Sequence, residues 1–157
     1  MFAVHFFLNR GLFFFIRENL YRAEYAIITW LNLDITISKE PLTPAVPHGD
    51  DAWFDTVKIV MFALINAEEL GVTQANVEEM KSSDNIKILR LVGQEGDWGY
   101  TDLGLDPDAL ARAIAAVGNY GEIYDRYMGP DGIAFTLPRG PNELWSNGGL
   151  IYAPSIQ

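Results

Sequence analysis

Between residues 50 and 129 the sequence contains several apolar stretches that follow a residue able to cap a helix, and most of them are followed by a glycine. Asp50 or Asp51 can cap the first and longest stretch, which stops at Gly71. Its apolar residues recur with the period of an α-helix at Trp53, Val57, Val60, Met61, Leu64 and Ile65. Phe54, Ile59 and Phe62 widen this stripe, so we expect the helix to be buried on more than one side.

The same signals predict four shorter helices. The first starts at Thr73 and turns Val77 and Met80 inward, and the second covers residues 86–92, capped by Asp84 and stopped by Gly93. The third starts at Asp106-Pro107 and ends at Gly118. The fourth runs from about Tyr120 to Met128. Before them, Ile35–Ile37 alternates like a short strand, and Pro41, Pro44 and Pro47 keep the chain extended. The predicted fold is therefore mostly α with one or two short strands.

Residues 1–33 differ in composition from the rest of the chain. They hold six of the nine Phe and carry a net charge of +1, whereas the whole chain carries −10. Arg10, Arg17 and Glu18 interrupt the apolar run before it reaches the roughly 20 residues of a membrane span. The start is not basic and no small-residue cleavage site follows, so we expect no export signal here. The alternatives are an interfacial amphipathic helix and a non-native or divergent leader without a function of its own.

Charge and composition exclude several classes of function. The acidic balance argues against nucleic acid as a partner, because phosphate binding needs clustered Lys and Arg. The chain has no Cys, which excludes disulfides, thiolate nucleophiles and Cys-ligated metals. No phosphate-binding glycine loop, nucleophile elbow or zinc helix is present, and we predict no cofactor.

Two clusters could carry chemistry. His48, Asp50 and Asp51 suit a metal, but the same carboxylates stand where the first helix needs its cap, and we favour the cap. Glu95, Asp97 and Asp102 flank Trp98 in a glycine-rich loop over residues 93–105. Paired carboxylates beside an aromatic ring occur in glycoside hydrolases, so a carboxylate hydrolase is the enzymatic alternative. Solvated turn residues are the simpler interpretation, and we predict that the chain is not an enzyme.

Several separated segments carry a resemblance to a known family. They are Ile37–Val46 with His48–Phe54, Ala67–Gly71, Asp102–Asp106, Gly118–Arg126, Leu137–Gly140, Asn142–Trp145 and Gly148–Pro154. In this order they resemble solute-binding proteins of family three, in particular the general L-amino-acid-binding subgroup of ABC importers. The resemblance covers residues 37–157, and residues 1–33 do not match it.

The resemblance implies a C-terminal fragment of a two-lobed α/β periplasmic binding protein of type II. Its expected parts are the unmatched leader (1–33), a hinge-like crossover (34–48), helices of lobe one (49–129) and a Gly/Pro-rich tail (130–157). Ser38, Lys39 and Glu40 match the hinge pattern and would lie near the ligand cleft. The implied partners are an L-amino acid and the membrane permease of the importer, and the implied location is the periplasm.

Because the sheet and most ligand contacts of that fold would lie upstream, the resemblance implies an incomplete component unable to bind ligand alone. The alternative is a small helical interaction protein that reuses the module. We further expect Trp145 and Tyr152 to anchor the tail. The missing sheet should leave several apolar positions without cover, namely Val57, Val60, Leu64, Leu110, Ile114 and Val117.

Overall fold

The computed structural model describes residues 43–97, 100–134 and 136–155. The chain divides into two compact units, Met1–Pro44 and Ala45–Gln157, and almost all described residues belong to the second. The aromatic leader, the predicted strand at residues 35–37 and the predicted hinge residues Ser38, Lys39 and Glu40 lie outside the described residues.

The longest helix, α1 (Asp51–Glu69), forms where its capping and stop signals predict. Asp50 is the N-cap, and its side chain accepts a hydrogen bond from the Trp53 backbone N–H at 3.1 Å. At the other end Gly71 has a φ of 71°, a left-handed conformation that favours glycine. The following Val72 N–H bonds to the Ala67 carbonyl at 2.7 Å, which turns the chain back towards the core.

The prediction of an α-helix from Thr73 is wrong, because turns and a 3-10 helix occupy this part of the chain. Residues 74–78 form turns, followed by a short 3-10 helix at Glu79–Ser82. Thr73 and Asn76 exchange side-chain-to-backbone hydrogen bonds, at 2.7 Å from Thr73 N to Asn76 Oδ1 and 3.2 Å from Asn76 N to Thr73 Oγ1. Such local bonds compete with a regular helix. Val77 is nevertheless buried, as its position in the apolar pattern predicts.

Three further helices follow. They are α2 (Ile86–Leu91), α3 (Ala109–Val117) and α4 (Tyr120–Met128). Asn85 rather than Asp84 caps α2. The helix α3 begins two residues after the predicted Asp106-Pro107 start, because the Asp106 carbonyl accepts from the Ala109 N–H at 2.9 Å and so closes a turn before the helix. The bounds of α4 are as predicted, fixed by a reciprocal capping box between Asn119 and Glu122.

The core lies between these helices rather than on a sheet. One cluster includes Leu64 of α1, Leu91 of α2, and Leu110 and Ile114 of α3. The expectation that Leu64, Leu110 and Ile114 lack cover is therefore wrong, because the helices bury them against one another. Val60 and Val117 are partly buried against the same cluster, and Val57 is likewise of intermediate burial.

Burial along α1 is uneven. Its fully buried residues are Ala63, Leu64, Ile65, Asn66 and Ala67. Near its start, Trp53 and Phe54 each keep 51% of their surface exposed. The prediction of burial on more than one side thus fails for the first half of the helix.

The segment after α4 contains two 3-10 turns, Gly140–Asn142 and Trp145–Asn147, and a single parallel bridge between Leu144 and Ile151. Trp145 and Tyr152 are 58% and 71% exposed, so they are not the anchors that we expect from the sequence; Leu144 and Asn142 are buried instead. Within residues 43–97, 100–134 and 136–155 no β-strand extends beyond this one bridge, and no helix has the length and apolar character of a membrane span. The prediction of a mostly α chain is confirmed.

Candidate functional site

The predicted cleft residues Ser38, Lys39 and Glu40 are not among the described residues, so their role stays a prediction. The structure does describe the His48 cluster. Asp50 serves as the helix cap, and His48 and Asp51 are exposed beside it. Within residues 43–97, 100–134 and 136–155, no three His, Asp or Glu side chains are grouped to hold a metal ion.

One carboxylate of the 93–105 loop, that of Asp97, also serves local structure. Asp97 Oδ1 accepts a hydrogen bond from Thr101 N at 3.3 Å, and Tyr100 Oη donates to the Gly96 carbonyl at 2.6 Å. Burial, followed by the negative charge of Asp97, raises the pKa of Tyr100. Glu95 and Asp102 are exposed, and Trp98 lies outside the described residues. The described residues of this loop therefore form a turn held by local hydrogen bonds rather than an enclosed pair of carboxylates.

An open depression of about 420 Å³ lies along the exposed half of α1. It is lined by Asp55, Lys58, Ile59, Phe62, Asp102, Leu103 and Pro154. Lys58 forms an ion pair with Asp55 and its ammonium lies 5.1 Å from the ring centre of Phe54. The depression offers apolar contact surface with an already paired cation, which does not suit a small zwitterion that needs both of its charges matched.

The most organised polar cluster in the described residues joins α1, α4 and the segment after α4. The guanidinium of Arg139 meets the carboxylate of Glu68 in a two-pronged ion pair, with Nη1 on Oε1 and Nη2 on Oε2 at 3.1 Å. Nη2 also donates to the Asn142 carbonyl at 3.0 Å. The side chains of Arg139 and Glu68 are only 12% and 13% exposed. We call this cluster the Arg139 junction.

Aromatic rings flank the Arg139 junction. The guanidinium carbon lies 5.7 Å from the ring centre of Tyr120 and 5.6 Å from that of Tyr124, within the range of cation–π attraction. Burial raises the pKa of both phenols, and the positive charge of Arg139 opposes that rise only in part. For Arg139, burial lowers the pKa, but the bonds and charge of Glu68 outweigh burial and leave the pKa raised. Glu143 Oε2 also lies 3.5 Å from Arg139 Nη1, so two carboxylates hold one guanidinium between two aromatic rings, an arrangement that suits a structural role.

The Arg139 junction was not predicted as a unit, yet its parts lie in segments that carry the resemblance. Glu68 belongs to Ala67–Gly71, both tyrosines to Gly118–Arg126, and Arg139 to Leu137–Gly140. Gly121 of the same helix leaves room for the pair, since a Cβ there would lie 2.8 Å from Glu68 Oε1. The sequence indicates this contact only through the joint occurrence of the three segments. The residue pattern within each segment does not show that Glu68 and Arg139 are in contact.

Comparison with known sequences gives relatives of one kind. No protein-family model matches the chain. The chain is 55% identical over 122 residues to the general L-amino acid-binding periplasmic protein AapJ of Rhizobium johnstonii, and 50% identical over 122 residues to the glutamate/glutamine/aspartate/asparagine-binding protein BztA of Rhodobacter capsulatus. It is 43% identical over 129 residues to the putative amino-acid ABC transporter-binding protein YhdW of Escherichia coli. These matches cover 77–82% of the chain but only 36–37% of each relative.

A solved structure agrees. A periplasmic binding protein of an ABC transporter from Brucella ovis, with glutathione bound, is 50% identical and superposes with a TM-score of 0.72. The match covers 80% of this chain and 39% of that one. The predicted resemblance to periplasmic solute-binding proteins and the predicted fold class are thus confirmed. The chain is homologous to the amino-acid-binding periplasmic proteins of ABC transporters and spans little more than one third of their length.

Proposed function

We propose that this chain represents the C-terminal helical part of an amino-acid-binding component of an ABC importer and acts, when joined to the rest of such a component, in the periplasm. The observation that carries the proposal is the 43–55% identity to three relatives whose names all specify amino-acid binding. The ligand class is an L-amino acid with a polar or charged side chain, as the name of BztA specifies for that relative. The partner is the membrane permease, and the chain carries out no catalysis.

The chain by itself is proposed not to bind an amino acid tightly. A free amino acid carries an ammonium and a carboxylate, and both must exchange their water for protein partners when a cleft closes on them. The match accounts for 36% of the length of AapJ, so the matched residues correspond to a minority of a complete binder. Among the described residues the buried Arg139 is already committed to Glu68, and Lys58 in the depression is paired with Asp55.

Calorimetry on the purified 157-residue chain tests this proposal. The ligands are L-glutamate, L-glutamine, L-aspartate, L-asparagine and glutathione, the last because the Brucella ovis protein holds it. AapJ purified in parallel is the positive control. We expect saturable heats for AapJ and none for the chain. Micromolar or tighter binding by the chain would contradict the proposal, because it would require a complete site within residues 1–157.

A further inference from the structure

Two polar contacts, here called the tethers, join residues 139–155, the closing segment, to the helical body. At one end is the ion pair of Arg139 with Glu68. At the other end the buried Asn66 of α1 donates through Nδ2 to the Pro154 carbonyl at 3.0 Å. Both tethers thus begin on the last two turns of α1, two residues apart.

Apolar burial contributes little to holding the closing segment. Leu144 is its buried hydrophobic residue, at 4% exposure. Its other large apolar side chains include Trp145, Leu150 and Tyr152, all of which are more than half exposed. Regions with few buried apolar contacts open at a lower free energy than the whole domain. The two tethers therefore act together with Leu144 and the partly buried Ile151 to hold this segment closed.

The closing segment is internally bonded, so its residues move together. Leu150 N–H bonds to the Pro141 carbonyl at 2.9 Å, Ile151 N–H to the Glu143 carbonyl at 3.0 Å, and Trp145 N–H to the Ile151 carbonyl at 2.9 Å. None of these bonds involves the helical body.

The residues just before the closing segment are fixed to the body. Leu137 N–H bonds to the Met128 carbonyl at 2.8 Å, and Tyr124 Oη donates to the Pro138 carbonyl at 3.2 Å. A boundary between fixed and releasable backbone therefore falls between Pro138 and Arg139.

We propose that the closing segment opens as one unit about the Pro138–Arg139 boundary while the helices stay folded, and that the Glu68–Arg139 pair controls how often it does so. Opening exposes the α1 surface around Asn66 and Glu68. It also removes Pro154 from the edge of the depression that Phe62 lines. The segment is thus a releasable cover on α1, a role distinct from ligand binding.

Limited trypsin digestion of the full chain reports this opening directly. Trypsin must accept the Arg139 side chain in its specificity pocket and the Pro138 backbone along its cleft. Cleavage therefore requires release of Arg139 from Glu68 and also transient loss of the Tyr124–Pro138 hydrogen bond, whose contribution is the same in every variant below. Cleavage after Arg139 therefore follows the open population when reclosing is fast. Glu68→Gln weakens the charge-assisted bonds, and Gly121→Ala places a methyl group against Glu68 Oε1; each should speed cleavage about tenfold.

Glu69→Gln is the matched control, because Glu69 is the exposed neighbour of Glu68 and its change should leave the cleavage rate unaltered. Hydrogen exchange supplies a second measurement. Nuclear magnetic resonance should show that the Asn66 side-chain amide, which loses the Pro154 carbonyl on opening, exchanges faster in Glu68→Gln than in the unaltered chain, while the amides within α3 exchange at the same rate in both. Unchanged cleavage after Arg139 in both variants would overturn the proposal. So would acceleration of exchange in α3 to the same extent, since that result means global unfolding.

Discussion

The side-chain amide of Asn66 joins the middle of the chain to its end: Nδ2 donates to the Phe62 carbonyl at 2.9 Å and to the Pro154 carbonyl, 88 residues away, at 3.0 Å. Asn66 is 5% exposed, so water cannot readily replace either bond. Replacing it by Ala should cost about 1–3 kcal/mol of unfolding free energy, the range for a buried polar group left unpaired. Urea denaturation measures this loss. Asn147→Ala, at an exposed position, should change stability by less than about 0.5 kcal/mol.

Gly93, which follows α2, is expected to tolerate no side chain. Its φ is 74°, and a Cβ there would lie 1.8 Å from the Pro107 carbonyl oxygen. Gly93→Ala therefore combines left-handed strain with a backbone clash and should cost about 2–5 kcal/mol. Gly104→Ala separates the two effects, because Gly104 has a φ of 68° with nothing within 4 Å of the added methyl. A similar fall in midpoint denaturant concentration for both variants would show that the contact with Pro107 is unimportant.

Asn119 has two separable roles at the start of α4. Its Oδ1 accepts from the Glu122 backbone N–H at 2.9 Å, and its Nδ2 donates to the buried Val72 carbonyl at 2.8 Å. Asn119→Ser keeps a capping acceptor but leaves Val72 unpaired, which should cost about 1–3 kcal/mol. Asn119→Ala removes the cap as well and should cost about 0.5–2 kcal/mol more. Equal unfolding free energies for the two variants would contradict the capping role.

Alkaline pH should destabilise the fold through its buried tyrosines. Burial raises the pKa of Tyr100, Tyr120 and Tyr124 above 10.0 in the folded chain. The unfolded chain therefore loses these phenolic protons at lower pH than the folded chain does. The stabilisation is complete below about pH 10 and is lost as pH rises through the raised pKa values. The Tm should fall as pH rises above about 10, together with a cooperative rise in tyrosinate absorbance. A constant Tm above this pH would show that these phenols ionise equally in both states.

Sequence reasoning performs well where the determinants are local. The amphipathic pattern and Gly129 predict the bounds of α4, and the structure confirms them and adds a capping box between Asn119 and Glu122. It fails where side chains offer the backbone a competing partner, as Thr73 and Asn76 do in the turn that replaces the second predicted helix.

The Arg139 junction could not be predicted from local patterns, because Glu68 and Arg139 are 71 residues apart and neither residue stands out in its own segment. The exposure of Trp145 and Tyr152 does not follow from the sequence for a related reason. Aromatic content predicts anchoring only when the surface opposite is known, and here Leu144 occupies the buried position.

A chimaera tests the central claim most directly. The 122 residues of AapJ that match this chain are replaced by the corresponding residues of this chain, which are 55% identical, and amino-acid binding is measured by calorimetry beside intact AapJ and the isolated chain. If this chain performs the same role as the matching part of AapJ, the chimaera should fold and bind the same amino acids. Its affinity should lie within about tenfold of that of AapJ, a difference of roughly 1.4 kcal/mol. The isolated chain should not bind. A chimaera that folds with a cooperative thermal transition but binds no amino acid would contradict the account.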